Sequence, residues 1–198
     1  MNYNNSFKTN YNKITKILES EGVNPRIEPQ SLEDDSSCIL KWNIDTDEHF
    51  IYQEDIAINN KDIAWFQSSE NDKHLLRVIS KENKFEWIPK TYNPVFGCLC
   101  LLIEWYENHL IFIYQEKHGI YVCSIRDTKV NDFYIHGGEL ERKGNRLAYE
   151  TYQNKLENHV RLIELPSLKE LSPISKEEAK KLGLTPQSTN RPNGFLKA

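Results

Sequence analysis

Apolar residues recur at helical spacing near the start of the chain. Phe7, Tyr11, Ile14 and Leu18 fall three or four positions apart, with Ile17 beside them, which predicts one apolar stripe on a helix over residues 6–21. Ser6 or Asn5 can cap its start, and Gly22 followed by Pro25 stops it. Pro25, Pro29 and the acidic run Glu33-Asp34-Asp35 then read as a linker.

From Cys38 to about Leu171 the period changes. Apolar runs of roughly five to eight residues, rich in Ile, Val, Phe, Tyr and Trp, alternate with short polar turns, which is the pattern of half-buried strands. The segment Cys98 to Ile125 predicts three strands, turning at Glu107-Asn108 and at Lys117-His118-Gly119. Leu110 to Tyr114 is apolar on both alternating faces, so that strand must be covered on both sides. A weak repeat runs through the region. Ile63–Gln67 precedes Leu75–Ser80, Leu110–Gln115 precedes Ile120–Ile125, and Leu147–Tyr149 precedes Val160–Leu165, at spacings of 47 and 37 residues between the leading positions. Ile39 to Tyr52 reads as a fourth, degenerate unit. Ser175-Lys176-Glu177-Glu178 matches a capping box before a short helix ending at Gly183. Beyond Leu184 the chain is rich in Pro, Asn, Ser and Thr and reads as a surface-draped or disordered tail.

These elements make the fold mainly β: an antiparallel meander of repeated hairpins with an N-terminal helix and a short C-terminal helix. A propeller-like arrangement is the alternative, since its blades share this period. Three or four imperfect units strain the length for a closed ring, and the Trp-Asp and Gly-His signatures of WD40 blades are absent. Length points to a single domain over residues 1–198, with the helix at 6–21, the β region at 38–171, and the short helix and tail at 172–198.

Composition supports a folded chain. Apolar residues are 38% of 198, but four Trp, ten Tyr and eight Phe can bury large areas with few side chains. Charged residues are 27% with mixed signs and a net charge of −4. No stretch approaches the roughly 20 apolar residues of a membrane span. The polar start, Met1 to Asn12, lacks a signal-peptide core, so a cytoplasmic location is expected. Cys38, Cys98, Cys100 and Cys123 then read as free buried thiols.

The motifs of common chemistries are missing. There is no phosphate-binding glycine loop, no dinucleotide fingerprint and no G-x-S-x-G elbow. His136-Gly137-Gly138-Glu139 reads as a turn before the next strand. Cys98 and Cys100 share one strand face, but zinc needs two further ligands at suitable spacing. Asp45-Thr46-Asp47-Glu48 lacks the glycine and distal glutamate of a calcium loop. The six histidines fall mostly at turns and strand starts. Neither metal nor cofactor is expected, and the chain reads as non-enzymatic. A pI near 5.9 argues against nucleic acid as partner.

Charge is unevenly placed. Glu28, Glu33, Asp34, Asp35, Asp45, Asp47, Glu48, Glu54 and Asp55 are opposed only by Lys41 between residues 28 and 55. That segment carries −8, so the remainder sums to +4. Such a run either solubilises the chain or steers a cationic partner. Trp42, Phe50 and Tyr52 interleave with the acids as aromatic anchors would. The candidate partner-binding residues are Glu33, Asp34, Asp35, Trp42, Asp45, Asp47, Glu48, Glu54 and Asp55.

The stretch Trp105-Tyr106-Glu107-Asn108-His109-Leu110-Ile111-Phe112-Ile113-Tyr114-Gln115-Glu116-Lys117-His118-Gly119-Ile120-Tyr121-Val122 resembles strand pairs in small cytoplasmic immunity proteins. Those proteins accompany polymorphic or type VI secreted toxins in bacteria. The resemblance is one of strand texture over Cys98 to Leu165. It implies a non-enzymatic inhibitor that binds one cognate toxin domain and occludes its active site; an acidic patch would suit a basic toxin. Two other readings stand beside it. One is a propeller-like scaffold binding a peptide or protein, and the other is a hydrolase whose site residues are far apart in sequence.

Overall fold

The computed structural model describes residues 3–29, 38–71, 73–81, 84–89, 99–116, 118–137, 139–151, 153–154 and 156–188. The chain divides into two compact units, Met1–Lys90 and Thr91–Ala198, where length alone points to one.

The first unit opens with α1 (Tyr3–Ser20), three residues ahead of the start expected from sequence. The side chains of Phe7 and of the cap candidates Asn5 and Ser6 lie outside the described set. Gly22 closes the helix at φ 82, a left-handed conformation that a Cβ would strain. Its amide bonds to the Glu19 carbonyl, and that of Val23 to the Leu18 carbonyl, both at 3.0 Å. The strands are β1 (Arg26–Pro29), β2 (Cys38–Ile44), β3 (Asp47–Tyr52), β4 (Ile56–Ile58), β5 (Ile63–Ser69), β6 (Leu75–Ile79) and β7 (Lys84–Trp87). They pair antiparallel in the order β1-β2-β3-β5-β6-β7, with β4 also on β5. Arg26 to Pro29 is therefore an edge strand, in register with Lys41 to Cys38, and not the linker its prolines suggest. Pro29 ends that strand, one of the few places where a missing N–H is tolerated.

The helix stripe packs as its spacing requires. Tyr11, Ile14 and Leu18 meet Leu40, Trp42, Ile51, Ile63 and Trp65. The Tyr11 hydroxyl donates to the carbonyls of Cys38 (2.8 Å) and Ile51 (3.1 Å), tying α1 to β2 and β3. Burial pushes this phenol well above its ordinary value.

The second unit holds two sheets. β8 (Leu99–Tyr106), β9 (His109–Glu116), β10 (Gly119–Arg126) and β11 (Lys129–Ile135) form the first, in the order β11-β10-β9-β8. β12 (Glu139–Lys143), β13 (Arg146–Glu150), β14 (His159–Glu164), β15 (Lys169–Ser175) and β16 (Gln187–Ser188) form the second, in the order β15-β14-β13-β12-β16. Their facing sides share one core, from Leu102, Ile111, Ile113, Ile120 and Val122 to Leu140, Leu147, Tyr149 and Ile163. Arg142 of β12 spans the two sheets by pairing with Glu104 of β8. Every residue from Leu110 to Tyr114 is buried, as the doubly apolar run requires. The free cysteines are half-buried Cys38 and Cys100 and buried Cys123; Cys98 lies outside the described residues.

On the far face of the second sheet, Ala179 of α2 (Lys176–Leu182) and Leu184 just beyond the helix pack with Ala148, Val160 and Leu162. The Ser175 hydroxyl accepts from the Glu178 amide, and Gly183 ends the helix at φ 68. Gln187–Ser188 is not tail but β16, paired with Glu139–Leu140 of β12. Residues 189–198 lie outside the described set, as does Gly138.

The sequence repeat has a structural counterpart. Its three hairpins are β5–β6, β9–β10 and β13–β14, the central pairs of the successive four-strand meanders β4–β7, β8–β11 and β12–β15. The degenerate unit Ile39–Tyr52 is the β2–β3 hairpin. The fold is thus mainly antiparallel β, in three sheets of hairpins with two helices.

Candidate functional site

The acidic segment folds onto a three-strand platform, β1-β2-β3, whose two faces differ. Register places Leu40 opposite Ile51, Trp42 opposite His49 and Ile44 opposite Asp47 on the face toward α1. Lys41 opposite Phe50 and Asn43 opposite Glu48 lie on the outer face. Alternation therefore splits the expected interface residues. Trp42, 1% exposed, is a core residue stacked on His49 and not an exposed anchor. Asp47 and Asp55 are buried as well. Glu54 and Asp55 sit in the 3-10 turn Gln53–Asp55. Asp45 is exposed in the β2–β3 turn at φ 56. Glu33, Asp34 and Asp35 lie outside the described residues.

On the outer face the charges interlock. Glu28 bonds Arg26 (2.5 Å) and Lys41 (3.3 Å), while Glu48 bonds Lys41 (3.1 Å) and Arg26. Arg26 also donates to the Asn43 amide oxygen at 3.0 Å. Glu28 is held below the usual carboxylate range, first by its hydrogen bond from Arg26. Phe50 and Tyr52 meet edge to face at 5.3 Å on the same side of β3. Burial, with Asp55 nearby, raises the Tyr52 phenol. The platform is less acidic than the sequence count, because Arg26 lies just upstream of the segment and enters it through β1. Sequence reasoning missed this cation by reading β1 as linker. The signal was the alternation of Arg26 and Glu28 against Lys41 and Glu48.

The inner face carries a polar seam. Asp47 accepts from the Asn71 amide (3.2 Å) and lies 3.5 Å from the Lys73 ammonium and 3.7 Å from the His49 ring. β3 meets β5 at only His49↔Ser69 and Phe50↔Ser68, so this network fastens two hairpin systems together. Burial opposes ionisation of Asp47, yet the Asn71 amide, the Ser69 hydroxyl, His49 and Lys73 outweigh it and hold the carboxyl below 3.8. Burial holds His49 below 6.5; Asp47 opposes that shift and Lys73 adds to it. Both shifts have the same sign for stability. The neutral His49 contribution is full above pH 6.5 and is lost as pH falls toward its folded value. The Asp47 contribution is full above about pH 4 and is lost below it. Urea midpoints measured between pH 3 and 8 should therefore fall in two steps on acidification. Asp47→Asn should shrink the lower step, leaving the part due to Glu21, and move the His49 titration further down, which NMR of the imidazole would report. An unchanged His49 titration in that variant would exclude the coupling.

A second feature lies in the other unit, across β14 and β15. A shallow groove of about 300 Å³ is lined by Glu157, His159, Arg161, Glu170, Leu171 and Pro173 over Leu162. Register slips between Val160 and Leu162, so that Ser172 and Pro173 oppose Arg161 alone. A bulge holding proline on an edge strand re-aims side chains and blunts the edge. Beneath it the Tyr149 hydroxyl donates to Glu170 at 2.8 Å. Burial and that carboxylate raise the phenol to about 12. The β13–β14 connection beside the groove folds on Asn154, whose side-chain oxygen accepts from the Thr151 amide (2.5 Å) and hydroxyl (2.8 Å). The Glu157 amide in turn bonds the Asn154 carbonyl at 2.9 Å. At the tip, Leu156 is 98% exposed. Sequence reasoning noted His159 only as a turn histidine; Pro173 inside a strand run was the available sign of a bulge.

Among the described residues no group of three or more His, Cys, Asp or Glu is placed to hold a metal ion. Among them, too, no helix is long and apolar enough to cross a membrane.

No family model and no curated protein matches the chain. Among solved structures, it is similar to the WD40 domain of SCAP from fission yeast, with a TM-score of 0.35 and 7% identity. The similarity covers 69% of this chain and 42% of that one, so the chain spans less than half that structure's length.

Proposed function

We propose that this chain is a protein-binding module, and that its partner is a cationic toxin domain which it binds and occludes. The outer face of β1-β2-β3 carries this reading. There a half-buried aromatic pair, Phe50 and Tyr52, sits within a charged rim of Arg26, Glu28, Lys41 and Glu48, the usual anatomy of a binding hot spot and its polar surround. With Glu28 and Glu48 matched by Arg26 and Lys41, exposed Asp45 at the turn leaves these described charges net negative, which supports a cationic partner. The resemblance of Trp105 to Val122 to immunity-protein strands supports a toxin as that partner. The succession of four-strand meanders favours a second reading, a propeller-like scaffold that holds a peptide or protein from its own cell.

Co-expression with the toxin encoded by the adjacent reading frame tests the proposal. The chain should protect the cell and co-purify with that toxin as a stable complex. Asp45→Lys combined with Glu28→Lys should slow association about tenfold at low salt and flatten its salt dependence. Absence of an adjacent toxin gene, or of complex and protection, overturns the toxin reading. Wild-type association rates in the charge-reversed variant would overturn the platform as the interface.

A further inference from the structure

We infer that the outer edge of β11 takes an added strand, and that this strand is the chain's own segment Phe195-Leu196-Lys197. The inference is independent of the partner assigned to the β1-β2-β3 platform. Among the described residues, six strands end the three sheets. Five of them are short, kinked or interrupted by proline, the usual defences of a free edge. β1 has four residues and stops at Pro29, β7 has four and β16 has two. β8 loses register between Cys100 and Leu102, while β15 slips opposite Val160 and Leu162 and carries Pro173. β11 has none of these defences. Its seven residues lack proline and pair with β10 in unbroken register. Among the described residues no strand pairs with its other edge. Such an edge presents alternate N–H and C=O groups that an extended backbone matches. The side chains beside the edge specify that backbone's sequence. Tyr114, Tyr121 and Tyr134 stack in register across β9, β10 and β11, with ring centroids 5.0 and 4.7 Å apart. The series stops at Tyr134, which is 39% exposed. An aromatic residue on the next strand continues it, because cross-strand aromatic pairs stabilise a sheet. Asp132, exposed on the same face two residues earlier, suits a basic neighbour. A strand antiparallel to β11 meets Tyr134 first and Asp132 two residues later, so it must read aromatic-x-basic. Phe195-Leu196-Lys197 reads so. Leu196 then falls on the face of Phe133, which packs against the core the two sheets share. The route agrees with the sequence. β16 runs antiparallel to β12 and brings Ser188 opposite Glu139, four residues past the end of β11 at Ile135. Tyr134 lies five residues before Glu139, and Phe195 seven after Ser188. The segment therefore retraces the β11–β12 connection with two residues to spare, as an outer path requires. Pro192, which lacks a ladder donor, falls in that crossing and not in the pairing.

Amide hydrogen exchange of the full chain, followed by NMR, tests this. The alternate β11 amides that do not bond β10 should exchange about tenfold or more slowly in the wild type than in Phe195→Ala. The difference should be the same at every protein concentration, since the added strand belongs to the same molecule. The rings of Tyr134 and Phe195 should share Overhauser contacts. Lys197→Asp and Asp132→Lys should each lose part of the protection, and the two together should regain it, because the charged pair is then restored in reverse. All these variants should keep the wild-type circular dichroism spectrum. Equal exchange in the wild type and Phe195→Ala overturns the inference and leaves the edge to a different strand. Protection that grows with protein concentration overturns it too, by assigning the added strand to a second copy. So does a reversed charge pair that stays as unprotected as its single changes.

Discussion

Removing both carboxylates that face Arg77, by Glu21→Ala with Glu86→Ala, is expected to destabilise the first unit by about 3–5 kcal/mol, the cost of leaving a buried charge uncompensated. Arg77 lies in β6, between Trp65 of β5 and Glu86 of β7 in register. Its side chain is 5% exposed and its guanidinium sits 4.8 Å over the Trp65 ring. Glu21, just past the end of α1, approaches it at 2.6 Å and Glu86 at 3.0 Å, with Lys84 bonded to both acids. The asymmetry of burial decides which change hurts. The carboxylates are partly exposed, so without Arg77 they keep Lys84 and water. The guanidinium is enclosed, so without them it keeps neither. Arg77→Met, which retains an apolar stem on Trp65, should therefore cost less than half as much as the double variant. Either single glutamate change should cost about 1 kcal/mol, because one counter-charge remains. Urea unfolding followed by the fluorescence of buried Trp42 and Trp65 measures all four. A double variant no more costly than the sum of the singles would show that the guanidinium finds water unaided. The hydrogen bond from Arg77 already holds Glu21 below its usual range, with burial opposing it. Part of the same loss should thus appear in the wild-type chain as acid protonates Glu21.

That cluster also marks where sequence stops being informative. The hairpin repeat was legible because each central strand must bury apolar side chains whatever covers it, and Ile63–Gln67, Leu110–Gln115 and Leu147–Tyr149 do so. The α1 stripe was legible for the same reason. Capping at Ser175 and stopping at Gly22 were legible because they depend on neighbours within four residues. The candidate site was far less so. Trp42, Asp47 and Glu48 look alike as a run of anchors and acids, but a period of two sends Trp42 and Asp47 inward and Glu48 outward. Which face is inner depends on where α1 docks. Likewise Arg26 meets Glu48 across 22 residues and Arg77 meets Glu21 across 56. Such pairings follow from strand order, and local spacing does not encode them. The acidic count was correct as a sum, but four of its members, Glu28, Asp47, Glu48 and Asp55, are buried or already shared by cations once the strands pair.

Gly119→Ala should destabilise the second unit by more than about 3 kcal/mol, beyond the usual range for overpacking, although Gly119 has no unusual φ. In sequence Gly119 looks like an ordinary turn residue after Lys117-His118. In the fold it begins β10, opposite Glu116, with the end of β11 close against it. A Cβ there would lie 2.2 Å from the Ile135 carbonyl oxygen and 2.7 Å from the Tyr134 hydroxyl. Tyr134 is 39% exposed and can swing away. The carbonyl cannot, because it is backbone in a strand whose Ile135 side chain is buried in the core the two sheets share. Relief requires β11 to shift, which breaks its register at Ile120↔Ile135 and draws Ile135 out of that core. Gly144 makes the contrast. It adopts φ 57, where a side chain is strained, but a Cβ there meets nothing within 4 Å. Gly144→Ala should cost only about 1–2 kcal/mol of backbone strain. Backbone conformation alone ranks the two glycines the other way round. Urea midpoints followed by circular dichroism would show which order holds. If Gly144→Ala proved the worse variant, the close approach of β11 to Gly119 would have to be looser than 2.2 Å implies.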